Sequence, residues 1–191
     1  MNRMRIVELV IENDIDGIDA VSVVDAPAIE SNFIALAKEH QVMLAEVDAE
    51  KRILMGAALI PNKQIYRKEG EDEYYIFFSK DTIKKASELF LQNGNQSNST
   101  IQHQDKLDGM TVVESWIIED EQFDKSKKYN FNLPVGTWMI SMKVENDEVW
   151  NRVKSGEIKG FSIEGSFADK LELKKHEDLV SQIIKILEDG R

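Results

Sequence analysis

The chain has 191 residues, a formal net charge of −11 at pH 7, no cysteine and only three histidines. That length supports one sizeable core and is short for two ordinary domains joined by a long linker. The acidic balance disfavours phosphate-driven nucleic-acid binding, and the lack of cysteine excludes disulfides, thiolate nucleophiles and zinc ribbons.

His40, His103 and His176 are far apart in sequence, so no helical histidine pair can hold a metal. No apolar run approaches the ~20 residues that span a bilayer. The N-terminus reaches Glu8 too early for a signal-peptide core. These features predict a soluble, intracellular, single-domain protein that needs neither membrane nor nucleic acid.

In chain order, Arg5 to Glu12 is apolar enough for a strand, and a turn at Asp14 to Gly17 leads to a second strand at Asp19 to Val24, ended by Pro27. Ser31 to Glu46 mixes Phe33, Ile34, Leu36, Met43 and Leu44 with charges and fits either a loop or a helix. Arg52 to Ile60, Gln64 to Arg67 and the aromatic Glu73 to Phe78 read as strands. Lys80 to Leu91 places Ile83, Ala86, Leu89 and Phe90 at helical spacing behind a capping Ser79 or Asp81.

Asn93 to Ser99 is a polar loop. Thr100 to Gln104 and Met110 to Asp120 flank Asp108-Gly109, a hairpin signal. Asp124 to Asn130 is a charged loop and Gly136 to Val144 a strand. Asn146 to Gly156 is a short capped helix, and Lys159 to Phe167 is the last strand. Apolar residues at 179, 180, 183, 184 and 187 mark an amphipathic C-terminal helix. Trp116, Trp138 and Trp150 fall in patterned elements and belong to the core. Many strands with few helices, not in βαβ alternation, predict a mainly antiparallel α+β fold: a sheet or small β-barrel surrounded by helices. Residues 1–170 form the main domain, with 171–191 packed on it or used for self-association.

Without cysteine, a nucleophile must be Ser, Thr, Lys or a carboxylate, and a serine needs a base, usually histidine. His40 and His176 lie in charged segments and read as solvated; His103 lies in TIQHQ, a strand ahead of the turn. If Asp108 and Gly109 are the centre of a two-residue hairpin, counting back sets His103 opposite Glu114, with Cβ atoms about 5 Å apart. A carboxylate there would orient the imidazole and stabilise its protonated form. A five-residue turn would set Thr111 opposite His103 instead.

In GFSIEGSF, Phe161, Ile163 and Phe167 share one strand face and Ser162, Glu164 and Ser166 the other. A serine held between core residues is rigid, which suits a nucleophile, and Gly160 and Gly165 leave room for close approach of a substrate or a donor amide. The stretch lacks the Gly-x-Ser-x-Gly elbow. There is no phosphate-binding glycine loop, and the carboxylates of EDEYY and IIEDEQFD read as solvated faces.

His103, VESWIIED and LPVGTWMISMKVENDEVWNRVKSGEIKGFSIEG together resemble the phage prohead (capsid-maturation) serine proteases of the XkdF-type branch, as do DGIDAVSVVDAPAIESNF and RILMGAALIPNKQIYR. The likeness spans roughly Val7 to Phe167. It implies a fold related to the herpesvirus assembly proteases, a closed or nearly closed β-barrel with surrounding helices. It also implies a Ser-His pair with the histidine first, which falls on His103 and Ser162. In the herpesvirus enzymes a second histidine follows the serine; here that position is open only to His176, in a charged segment. An acidic third member fits better: Glu114 by the hairpin count, then Glu164, then Asp105. Gly165-Ser166 is a candidate source of oxyanion donors.

The implied substrates are phage major capsid and scaffold proteins inside the prohead in the host cytoplasm, and the protease itself. Leu44-Ala45-Glu46 has the shape of a self-cleavage site. Serine chemistry requires no cofactor and no metal. Homo-oligomerisation through the last helix is compatible with this reading. The alternative is a catalytically silent assembly protein that binds scaffold or capsid subunits; a silent relative tends to lose Ser162 or His103, and both are present.

Overall fold

Twelve strands and two α-helices account for most of residues 4–13, 15–28, 34–36 and 51–170, which the computed structural model describes. They run β1 (Arg5–Val10), β2 (Gly17–Val24), β3 (Ile34–Leu36), β4 (Ile53–Leu59), β5 (Ile65–Glu69), β6 (Asp72–Phe78) and α1 (Lys80–Gln92). There follow β7 (Ser99–Ile101), β8 (Asp105–Leu107), β9 (Met110–Ile117), β10 (Trp138–Val144), α2 (Asp147–Lys154), β11 (Gly160–Ser166) and β12 (Ala168–Asp169). The expected α+β class and nearly every expected strand are therefore present.

Local chemistry explains the helix ends. Ser79 caps α1 by accepting from the Thr82 N–H at 3.4 Å, and Asn146 caps α2 by accepting from the Val149 N–H at 3.0 Å. Ile83, Ala86 and Phe90 form the buried stripe of α1. Phe90 meets Trp138 edge to face, ring centroids 5.5 Å apart, and both are fully buried. Fully burying side chains of this kind contributes about 1.5–3 kcal/mol each. Trp150 is buried too, whereas Trp116 is half-buried under the Lys125 ammonium, 5.1 Å from its ring centroid. The charged segment expected as a loop after Asp124 is a 3-10 helix, Lys125–Tyr129, with the Asp124 carboxylate accepting from the Ser126 N–H. A second 3-10 turn, Asn95–Ser97, lies in the polar loop.

The strands pair in three four-stranded sheets, in the orders β12-β1-β6-β5, β3-β4-β10-β9 and β11-β2-β7-β8. Pairing is mainly antiparallel as expected, but β1 with β6 and β2 with β7 are parallel. The expected barrel is corrected: among the described residues no sheet closes on itself. Closure needs a continuous ladder with fixed stagger around the whole ring, and the edge strands β3, β8 and β12 have only two or three residues each.

The expected hairpin around Asp108-Gly109 is also corrected. β8 pairs back on β7, while β9 pairs with β10 in another sheet. A tight type I′ turn requires left-handed backbone at both central residues, and only Gly109 has it, with φ 73°. The turn is instead tied to the loop after β10, where the Glu145 N–H donates to the Gly109 carbonyl at 2.7 Å. The strands on either side of Asp108-Gly109 thus separate into different sheets. No helix of the described residues is long and apolar enough to cross a membrane. The C-terminal helix expected within 171–191, the Leu44-Ala45-Glu46 motif, His40 and His176 lie outside the described residues.

Candidate active site

Ser162 lies mid-strand on β11, an edge of its sheet, and is 9% exposed. Its flanking Phe161 is fully buried, which anchors the strand as its alternation predicts. Directly opposite Ser162 on β2 stands Ser22, and opposite Ser22 on β7 stands Thr100. One row of hydroxyl side chains therefore crosses three strands on the face that also carries Glu164.

His103 is not in a strand, as the sequence suggests, but in the three-residue connection from β7 to β8, where Ile101 faces Asp105. Gln102 and His103 both take left-handed backbone, φ 50° and 58°. For residues other than glycine this costs roughly 1–3 kcal/mol each. Bonds to β2 offset it: the Gln102 N–H donates to the Val23 carbonyl at 3.2 Å and the His103 N–H to Ser22 Oγ at 3.0 Å.

This turn directs the imidazole to Glu164, with His103 Nδ1 3.0 Å from Glu164 Oε1. Thr100 Oγ1 donates to the same carboxylate oxygen. An ionised carboxylate only accepts, so the bond requires the proton on Nδ1 and leaves Nε2 as the acceptor. That is the tautomer a general base needs. The pair is partly open to solvent, His103 at 44% and Glu164 at 30%. Glu164 and Thr100 also line an open cleft of about 430 Å³ beside β7 and β8. Among the described residues no hydrogen bond joins the imidazole to Ser162.

Glu114 is not opposite His103. Its partner in register is Ser141 of β10, and its carboxylate accepts from Ser141 Oγ and from the Lys125 ammonium. Burial alone would raise its pKa, but the bonds from Lys125 and Ser141 and the lysine charge outweigh that and hold it below the usual carboxylate value. Asp105 is exposed at the start of β8. Gly165 does provide a close approach, but to β2: a Cβ there would collide with the Gly17 carbonyl. The ladder slips by one residue between Glu164 and Gly165 at this contact.

Sequence reasoning missed Ser22 and Thr100. Ser22 does leave a trace as the single hydroxyl within the apolar run VSVV. Among the described residues no cluster of three or more His, Asp or Glu could hold a metal.

The sequence profile of a family described as "Putative phage serine protease XkdF" matches residues 41–172, more than half the chain. The chain belongs to this family. The match includes His103, Glu114, Ser162 and Glu164 and leaves Ser22 outside. Two proteins of Bacillus subtilis (strain 168) are similar over most of this family member. "Uncharacterized protein YqbD" is 28% identical over 169 residues, covering 85% of this chain and 47% of its own length. "Phage-like element PBSX protein XkdF" is 25% identical over 157 residues, covering 78% of this chain and 52% of its own. The chain thus spans about half the length of the curated relatives it matches. No solved structure matches it, herpesvirus assembly proteases included.

Proposed function

We propose that the protein is a serine endopeptidase that cleaves phage capsid and scaffold proteins, and itself after Glu46, during prohead maturation. The observation that carries this reading is the contact between His103 Nδ1 and Glu164 Oε1 at 3.0 Å, made with the strand that bears Ser162. Ser162 is the nucleophile, His103 the base and Glu164, rather than Glu114, the acidic member that orients it.

In the forward step Ser162 Oγ attacks the scissile carbonyl carbon as its proton passes to His103 Nε2. The tetrahedral intermediate collapses, the C–N bond breaks, and the imidazolium returns the proton to the leaving amine. Water, deprotonated by the same nitrogen, then hydrolyses the acyl-enzyme. Glu164 stabilises the imidazolium in both halves. Bonds between base and nucleophile commonly tighten only once substrate is bound, which accommodates the separation of Ser162 and His103 in the free protein.

The test is intact-mass analysis after treatment with a fluorophosphonate, followed by peptide mapping. A single adduct on Ser162, lost in His103→Ala, is the expected result. In untreated protein held at high concentration, a new N-terminus at Val47 is expected in the wild type and not in Ser162→Ala. No adduct across a wide range of protein concentration would overturn the endopeptidase and favour a catalytically silent assembly protein.

A further inference from the structure

Ser22 is fully buried in a strand whose neighbours Val21, Val23 and Val24 belong to the core. A hydroxyl in such a place is unfavourable unless its hydrogen bonds are made. Ser22 Oγ makes two: it accepts from the His103 N–H at 3.0 Å and donates to the Thr100 carbonyl at 3.4 Å. The same residue is the Cα partner of Ser162 across the β2–β11 ladder. It is therefore the one described side chain bonded to the turn that carries the imidazole and paired in register with the serine.

The turn needs such a tie. Two successive left-handed residues, Gln102 and His103, relax toward ordinary backbone when nothing holds them. A change in the φ of His103 swings its Cβ, and with it the ring, away from Glu164. Thr100 secures the other partner, since its Oγ1 donates to the oxygen that the imidazole contacts.

We propose that Ser22 is a positioning residue: its hydroxyl holds the His103 main chain in the left-handed turn, keeps the imidazole on Glu164, and so fixes the base relative to Ser162. The consequence for catalysis rests on the endopeptidase reading above. The consequence for the imidazole does not, and the two are measured separately.

The experiment uses the full chain labelled with [15N]histidine. Three histidines give a spectrum simple enough to assign with His40→Gln and His176→Gln. In mildly alkaline buffer the wild-type His103 should show the Nδ1–H tautomer imposed by a carboxylate, whereas a free imidazole favours Nε2–H. Ser22→Ala is expected to return His103 to the Nε2–H-rich mixture and to slow fluorophosphonate labelling of Ser162 by about 10–100-fold, the scale of an ångström-level misplacement. Ser22→Thr, which restores a hydroxyl, should recover both. Should Ser22→Ala fail to fold, Ser22→Cys keeps the unbranched side chain with a larger and weaker acceptor atom and is read in the same way.

A folded Ser22→Ala or Ser22→Cys that keeps the Nδ1–H signature, with labelling within about twofold of wild type, overturns the proposal. So does a wild-type His103 without that signature. Wild-type protein that shows the signature, loses it in Ser22→Ala and never takes an adduct supports the role of Ser22 while overturning the endopeptidase.

Discussion

Two glutamates, each bonded to a hydroxyl and to a basic side chain, occupy different sheets and do different things. Glu114 on β9 is held by Lys125 and Ser141; Glu164 on β11 is held by His103 and Thr100. A lysine side chain offers its partner only donors, so the first group is a clamp. It fastens the 3-10 helix that begins at Lys125 to the sheet formed by β9 and β10. The imidazole is a residue type that takes up and releases protons near neutrality, so the second group can take part in proton transfer. Similar bonds become structural or chemical according to which base the backbone supplies.

Exchanging each carboxylate for its amide separates the two roles. Glu164→Gln should lower the rate of Ser162 acylation on the order of 10³–10⁴-fold, because the amide favours the wrong imidazole tautomer. Glu114→Gln should leave that rate within about threefold. The reverse pattern, read from fluorophosphonate labelling or peptide cleavage, would return the acidic role to Glu114.

Next in size is Gly165→Ala. The added methyl meets the Gly17 carbonyl head-on, so β11 must shift against β2, at a cost of about 3 kcal/mol. Urea unfolding would register the loss, and Ser162 labelling should fall with it because the serine row loses its register. A variant as stable and reactive as wild type would show that the β2–β11 contact does not set the site.

The smallest effect concerns the clamp. Glu114 is 47% exposed, so solvent screening keeps the loss in Glu114→Gln to about 1 kcal/mol, some 2–4 °C in Tm for a chain of this size. Its pKa is lower folded than unfolded, so its stabilisation is complete above the unfolded carboxylate pKa of about 4.3 and disappears as pH falls through the folded value. The stability gap between wild type and Glu114→Gln should therefore narrow below about pH 4, as urea midpoints across that range would show. A gap that stays constant would mean that Lys125 contributes through packing on Trp116 and not through charge.

Much of this was legible in the chain. Alternation in GFSIEGSF put Ser162 and Glu164 on one face, and the structure keeps them on one strand of seven residues. Ser79 and Asn146 announced their helices because caps act within one turn. The pairing of His103 with Glu114 failed because it extended a local turn signal well beyond the pair that closes the turn, while β8 and β9 took partners from elsewhere in the chain.

Residue types and short-range periodicity by themselves determined the α+β class, most element bounds and the absence of thiol chemistry, while Ser162 and His103 came together as a candidate pair only through the family resemblance. Those properties depend on interactions within a turn or a strand, which a linear pattern records. Only the tertiary structure decided which carboxylate meets the imidazole, that three open sheets form in place of one barrel, and that Ser22 bonds the turn of His103. Each of these depends on contacts between distant segments, such as Ser22 with His103 81 residues away, and long-range register is set by competition among whole ladders, which no local pattern encodes.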